Sequence, residues 1–321
     1  MRALVYTGEG RLEIEDRPEP VPALGEITVD VELVGICGSD ILGYMGRSPG
    51  RVPPLILGHE FVARRNGTLV AVNPLVGCGI CTMCLAGKEN LCLQMRLIGL
   101  HHDGALRERI AVPERNVIAI DNGGRGEVVA LAEPLACALH SISMVPRPES
   151  KRTLIIGFGC LGTMIATVLR HIGGRGFHII DNAEGRRALA GRFGATAVRA
   201  EDVGPARYDA IYDCAGYAAT RELSCRAIVP GGDIVLVGYG QAQGGVDFTD
   251  MVRREYHMHG VMAYGAGAFR EAVQLLQSGV LEVEGLIKIY PLEMGQLAFD
   301  EARSKKSQVI KTFLRIAADQ P

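Results

Sequence analysis

Hydrophobic and polar positions divide the chain into two textures. In the first third, Gly and Pro break the sequence into short apolar stretches, RALVYT, EITVDVELVGI, GTLVAV and RERIAVP. Their length and alternation predict strands of an antiparallel, barrel-like region. From about Glu133 the texture changes. Strand-like runs (TLIIGF, GFHIID, YDAIYDCA, DIVLVGY, HMHGVMA) alternate with helix-period segments such as LGTMIATVLRHI, GRRALAGRFG and ATRELSCRAI. That alternation is the pattern of a parallel sheet built from βαβ units. After Gly267 come one amphipathic helix, FREAVQLLQSG, and a further strand, VIKTFLRIA. The predicted plan is α/β: a β-rich domain over 1–135, a doubly wound parallel-sheet domain over 136–264, and a return to the first domain over 265–321.

Composition narrows the possibilities. With 321 residues, 48% hydrophobic and 22% charged, the chain can bury full cores and is neither disordered nor fibrous. A net charge of −2 provides no field to hold a polyanion, so nucleic acid is not an expected partner. The charge-free run Thr153 to Leu169 sits at the bottom of the membrane-spanning range. Its glycines, with a β-branched run before and a helical run after, fit strand, turn and helix instead. The N-terminus MRALVYTGEG turns polar too soon for a secretory segment, so a cytoplasmic location with reduced thiols is expected.

Gly157, Gly159 and Gly162 form G-F-G-C-L-G directly after TLII and before a helical run. In that context the glycines permit a tight turn, close approach of a pyrophosphate and helix packing, with helix N–H groups facing the phosphates. Leu161 lies inside the motif. Asp181 ends the next strand, placed to accept hydrogen bonds from the adenosine ribose hydroxyls, which favours NAD over NADP. Arg186 and Arg187 complicate that preference, because an arginine near the ribose also suits a 2′-phosphate.

Cys78, Cys81, Cys84 and Cys92 fall within fifteen residues. Four thiolates from one loop suit a closed tetrahedral zinc site that holds a lobe together; an iron–sulfur cluster is the competing reading. A second constellation is spread wider: Cys37 in GICGSD, His59 and Glu60 in LGHEF, and Glu133 in AEPLACALH. One thiolate, one imidazole and one or two carboxylates match a catalytic zinc site with an exchangeable position.

In the order GICGSD, GHE, four-cysteine lobe, EPLACALH, G-x-G-x-x-G and VIKTFL, the sequence resembles the zinc-dependent medium-chain alcohol dehydrogenases, closest to the sorbitol and threonine dehydrogenase branch. The resemblance implies a GroES-like catalytic domain, a Rossmann cofactor domain and an active site in the cleft between them. It implies two zinc ions per chain, with Cys37, His59 and Glu60 holding the catalytic one and Glu133 contacting its water or exchanging onto the metal. Ser39 would accept the substrate hydroxyl proton. Arg186 would approach the adenosine ribose, and Val237 and Gly238 would lie along the nicotinamide. The implied activity is reversible hydride transfer from an alcohol (a polyol, sugar derivative or related secondary alcohol) to NAD, in a homodimer or homotetramer.

Three departures stand out. Leu42 occupies the position where many relatives carry a relay histidine, leaving the ribose, a water, His101 or His102 to finish the proton path. Ala263 precedes Tyr264 where sorbitol dehydrogenases have Arg-Tyr. The stretch ARRNGTLVAVN is shorter than the usual hairpin. Arg47 and Arg51 in the loop GRSPGRVPP read either as solvated loop residues or as anchors for a substrate phosphate or carboxylate. Threonine-type or sugar-phosphate dehydrogenation, zinc-free quinone reduction and a non-catalytic nucleotide-binding role are the competing functions.

Overall fold

A computed structural model describes residues 1–121, 124–304 and 309–316. The chain forms two compact units, Met1–Glu133 with Gly265–Pro321, and Pro134–Tyr264.

In the first unit a sheet runs in the order Val117–Ala119, Thr68–Val72, Glu60–Arg65, Glu26–Gly35, Lys311–Arg315 and Ile287–Pro291, with Arg109–Pro113 also pairing Glu26–Gly35. The strand Glu26–Gly35 buries Val29, Val31 and Leu33 on alternate positions and then becomes buried throughout at Val34 and Gly35. That change marks where it leaves a half-exposed face and enters the interior. Pairing is antiparallel except between Ile287–Pro291 and Lys311–Arg315, which run parallel. The parallel pair belongs to the returning segment, where the helix Gly295–Arg303 provides the crossover between its two strands. Val29, Val31, Val34, Phe61, Val70, Ile110, Phe299 and Leu314 share one core. Strands Arg11–Asp16 and Ile287–Pro291 are not among the predicted stretches, although each alternates apolar and charged residues over its short length. The compact hairpin between Glu60–Arg65 and Thr68–Val72 turns on Asn66-Gly67 alone.

In the second unit, six parallel strands lie in the order Thr196–Ala197, His178–Ile180, Thr153–Ile156, Tyr208–Asp213, Ile228–Leu236 and His257–Gly260. Numbered within the unit this is 3-2-1-4-5-6, the doubly wound dinucleotide-binding order. Thr153–Ile156 is buried at every position, as a strand covered on both faces must be. The charge-free run Thr153 to Leu169 is resolved into this strand, a glycine turn and the helix Cys160–His171. Among the described residues no helix is long and apolar enough to cross a membrane. The segment GRRALAGRFG is not one helix: it divides into Glu184–Ala188 and a 3-10 turn Ala190–Phe193, as expected where Gly191 weakens the helix interior.

The helix Cys160–His171 packs so closely on its strand that a Cβ on Gly162 would lie 2.0 Å from the carbonyl oxygen of Gly157. Only hydrogen fits there. Gly162→Val should therefore destabilise the protein by about 1–3 kcal/mol, read as a lower thermal midpoint, and should weaken dinucleotide binding measured by calorimetry.

Candidate metal and dinucleotide sites

The first site is assembled by strand register. Glu26–Gly35 pairs antiparallel with Glu60–Arg65 so that Gly35 faces Glu60, and with Lys311–Arg315 so that Gly35 faces Phe313. Cys37, two residues beyond Gly35, is thereby brought to His59 and Glu60 on one side and to Lys311 on the other. One donor atom each from Cys37, His59 and Glu60 lies within 4.8 Å of the others. His59 and Glu60 are buried.

Cys37 caps the helix Gly38–Tyr44, and Asp40 in the first turn accepts the Cys37 N–H at 3.1 Å, closing a capping box. Asp40 is wholly buried. Its Oδ1 lies 3.2 Å from His59 Nδ1, within ion-pairing range though not aligned as a hydrogen bond. With Nδ1 turned towards Asp40, Nε2 is the nitrogen left for a metal. Burial opposes ionisation of Asp40, but His59, Arg51 and the Cys37 N–H hold its carboxyl at about 2. Burial likewise opposes a charged His59, yet Asp40 and Cys37 raise its pKa well above the ordinary value. The donor types of Cys37, His59 and Glu60 (sulfur, imidazole and carboxylate) are those that suit zinc.

Glu60 has a second partner. Its Oε2 accepts Lys311 Nζ at 2.5 Å, with both side chains buried. The carboxylate reaches the lysine by crossing Gly35, where a Cβ would lie 2.6 Å from Oε2. One oxygen of Glu60 is therefore committed to Lys311, and the other remains for a metal.

Glu133 sits buried in the first turn of the helix Ala132–Ser143, outside the group of converging donors. Ser39 is half-buried in the helix that Cys37 caps. His101 Nδ1 accepts the Leu97 N–H at 2.8 Å; burial and the charges of Arg51 and Arg96 lower its pKa. Arg47 is exposed. Arg51 is neither a solvated loop residue nor an accessible anion anchor. Its side chain is 3% exposed and forms an ion pair with Asp40.

Cys78, Cys81, Cys84 and Cys92 bring their sulfurs within 4.8 Å of one another around the short helix Thr82–Leu85. No disulfide forms among the nine cysteines. Backbone N–H groups of Ile80 and Cys81 lower the Cys78 thiol to about 6. Desolvation and the neighbouring thiols push Cys84 up to about 12. Four thiols this close ionise together only around a cation, which fits a closed tetrahedral zinc site.

The second unit presents Gly157, Gly159, Leu161 and Gly162 at the turn into Cys160–His171. This turn lies where the strand order reverses, between Thr153–Ile156 and Tyr208–Asp213, the usual place for a ligand in an open α/β sheet. Asp181 accepts the Phe158 N–H at 2.7 Å and the Ala183 N–H at 2.8 Å, pinning the glycine turn to the next strand. Each carboxylate oxygen retains a lone pair for a ribose hydroxyl. Arg186 Nη1 lies 3.7 Å from Asp181 and 3.4 Å from the position of a Cβ on Gly159. Val237 and Gly238 donate their N–H groups to the Asp213 carbonyl.

Sequence reasoning missed Asp40, Lys311 and Asp213. Asp213 is fully buried, and its carboxylate holds the Ala215 and Gly216 N–H groups and the Thr220 hydroxyl. The available signal was the same for Lys311 and Asp213: a charge inside an apolar strand, VIKTFL or YDAIYD, needs a buried partner. Replacing Lys311 with Met leaves Glu60 buried and uncompensated. It should cost about 3–5 kcal/mol of stability, measured by urea denaturation of the purified protein.

The chain is similar to known proteins over nearly its whole length. Residues 23–122 match the family described as Alcohol dehydrogenase GroES-like domain, and residues 160–278 the family described as Zinc-binding dehydrogenase. An L-threonine 3-dehydrogenase from Saccharopolyspora erythraea is 31% identical, over 95% of this chain and 96% of its own. A solved structure from Escherichia coli CFT073 in complex with NADH is 26% identical with a TM-score of 0.89, covering 98% of this chain and 99% of that one. A structure from Sinorhizobium meliloti 1021 bound to NADP is 26% identical with a TM-score of 0.87, covering 98% of both chains. A GroES-like unit, a Rossmann-type unit and near full-length similarity converge on one conclusion: the chain belongs to the zinc-dependent medium-chain alcohol dehydrogenase family.

Proposed function

We propose that this protein is a zinc- and NAD-dependent dehydrogenase that oxidises a secondary alcohol of the polyol or sugar-derivative class, reversibly. The observation that carries the reading is the convergence of Cys37, His59 and Glu60 donors within 4.8 Å. These three residues would hold a catalytic zinc, and the four-cysteine lobe a structural one. Bound zinc supplies Lewis acidity, lowering the pKa of an alcohol hydroxyl or polarising a carbonyl. NAD, held by the second unit, would supply the hydride acceptor.

The chain's own residues do the remaining work. Ser39 Oγ would accept the substrate hydroxyl proton while its own hydroxyl hydrogen passes on towards the cofactor ribose. Asp40 orients His59 from behind, and Lys311 restrains Glu60. Glu133 is assigned as a carboxylate of the same centre, contacting the water there or exchanging into the ligand set. On the second unit, Gly157, Gly159, Leu161 and Gly162 form the pyrophosphate cradle, where free N–H groups at the helix start favour an anion. Asp181 takes the adenosine ribose hydroxyls and disfavours a 2′-phosphate. Arg186, beside Asp181, contacts that ribose, and Val237 and Gly238 border the nicotinamide. A homodimer or homotetramer is the assembly assigned to this reading.

Oxidation of L-threonine is the second reading, favoured by the 31% identical threonine dehydrogenase.

Metal analysis should find two zinc ions per chain. A panel of polyols, sugar phosphates and hydroxy amino acids, run with NAD and NADP in parallel, should show NAD reduction with a polyol or sugar derivative. Cys37→Ser should abolish turnover and remove one zinc while leaving the fold. Ser39→Ala should lower kcat by about 10²–10⁴-fold. Two zinc ions with no alcohol oxidised would instead support a non-catalytic nucleotide-binding protein. Asp181→Ala should raise KM for NAD more than for NADP; equal effects on both would refute its role in selecting the cofactor.

A further inference from the structure

Arg51 leaves the loop between Ser48 and Pro53 and runs beneath the helix Gly38–Tyr44. It passes so close to Gly43 that a Cβ there would lie 2.2 Å from Arg51 Cδ. Its Nη2 donates to Asp40 Oδ1 at 3.0 Å and to Ser39 Oγ at 3.1 Å, and its Nη1 to Ser48 Oγ at 3.3 Å. Nε is buried with no partner. A guanidinium withdrawn from water carries a heavy desolvation cost unless its contacts compensate. Here it spends one nitrogen on two side chains of the proposed centre.

The chemistry of those two bonds is directional. Arginine can only donate, so Ser39 Oγ is the acceptor, and the serine hydrogen must point to some other group. One lone pair is used by Arg51 and one remains for an incoming proton. The same Nη2 fixes Asp40 Oδ1, the oxygen that faces His59 Nδ1. Leu42, at the position where many relatives carry a histidine, offers no polar atom to do either job.

We propose that Arg51 is a positioning residue whose guanidinium clamps Ser39 and Asp40 together, setting the direction of the serine hydroxyl and the orientation of the His59 ring. This rests on the reading that Cys37, His59 and Glu60 form the metal centre and that Ser39 carries the proton. A lysine keeps the charge but lacks the planar fork, which makes it the informative conservative variant.

The test compares Arg51→Met, Arg51→Lys, Ser39→Ala and the Arg51→Met/Ser39→Ala double variant as zinc-loaded protein. The first readout needs no substrate: the rate at which a chelator, dipicolinate, removes the zinc that Cys37→Ser also lacks. Arg51→Met should lose that zinc about 10-fold faster, as disturbed outer-shell partners do, with Arg51→Lys in between and the four-cysteine zinc unaffected. The second readout is turnover of an alcohol found in the panel. Arg51→Met should lower kcat about 10–100-fold with KM changed less than about 3-fold, and should cause a clearly smaller loss in the Ser39→Ala background than in wild type, the signature of coupled residues.

Zinc release and kcat both within about twofold of wild type, or independent, multiplicative losses in the double variant, would overturn the proposal. If Arg51→Met does not fold, Arg51→Lys and Arg51→Gln carry the same comparison. Wild-type protein that holds only the four-cysteine zinc would refute the metal-centre reading itself. A wild type with both zincs and indifferent Arg51 variants would refute this inference alone.

Discussion

Burying charge in a protein interior is tolerated only where partners are fixed in place, and the end of the strand Glu26–Gly35 is organised by that constraint. Glu60, Asp40, His59, Arg51 and Lys311 are all buried, and all meet within a few residues of Cys37. Each charge has its counter-charge. Lys311 faces Glu60 from one neighbouring strand, and Arg51 faces Asp40, which faces His59. The two sets flank the converging donors, so Cys37, His59 and Glu60 are held in place by residues outside their own group.

This arrangement explains why the last segment of the chain returns to the first unit. Lys311 belongs to a strand more than two hundred residues distant from Glu60 in sequence, and antiparallel pairing with Gly35 as the shared partner sets its place. Without that strand the Leu33–Gly35 end of Glu26–Gly35 would lose its partner on one side, and a buried carboxylate would be left with no cation. The same economy appears in the second unit. Asp181 and Asp213 each follow or end a buried parallel strand and each tie down the turn beyond it with backbone hydrogen bonds. Such turns stand at the carboxyl edge of the sheet, where a dinucleotide would contact backbone rather than side chains.

Local chemistry was legible where it is written in consecutive residues. The glycine motif follows its strand because three close approaches must occur within six residues, and the sequence shows all three. The four-cysteine lobe is likewise a single-loop object. Leu42 could be read as a missing relay group, but its consequence could not, because Arg51 enters from a different loop. As a sequence feature, Arg51 in GRSPGRVPP is an ordinary polar loop residue. Only the absence of a side chain at Gly43 and the position of Asp40 make it a buried cation.

What the sequence determined by itself was periodicity, the order of elements and the donor types: two textures of chain, thiolates and a histidine–glutamate pair, glycines between a strand and a helix. These depend on neighbours a few residues apart, where backbone geometry is nearly fixed. The tertiary structure alone decided which carboxylate oxygen is committed to Lys311, which imidazole nitrogen faces Asp40, and that Arg51 is buried rather than solvated. Those outcomes depend on strand register and desolvation between segments far apart in the chain, and no local pattern encodes either.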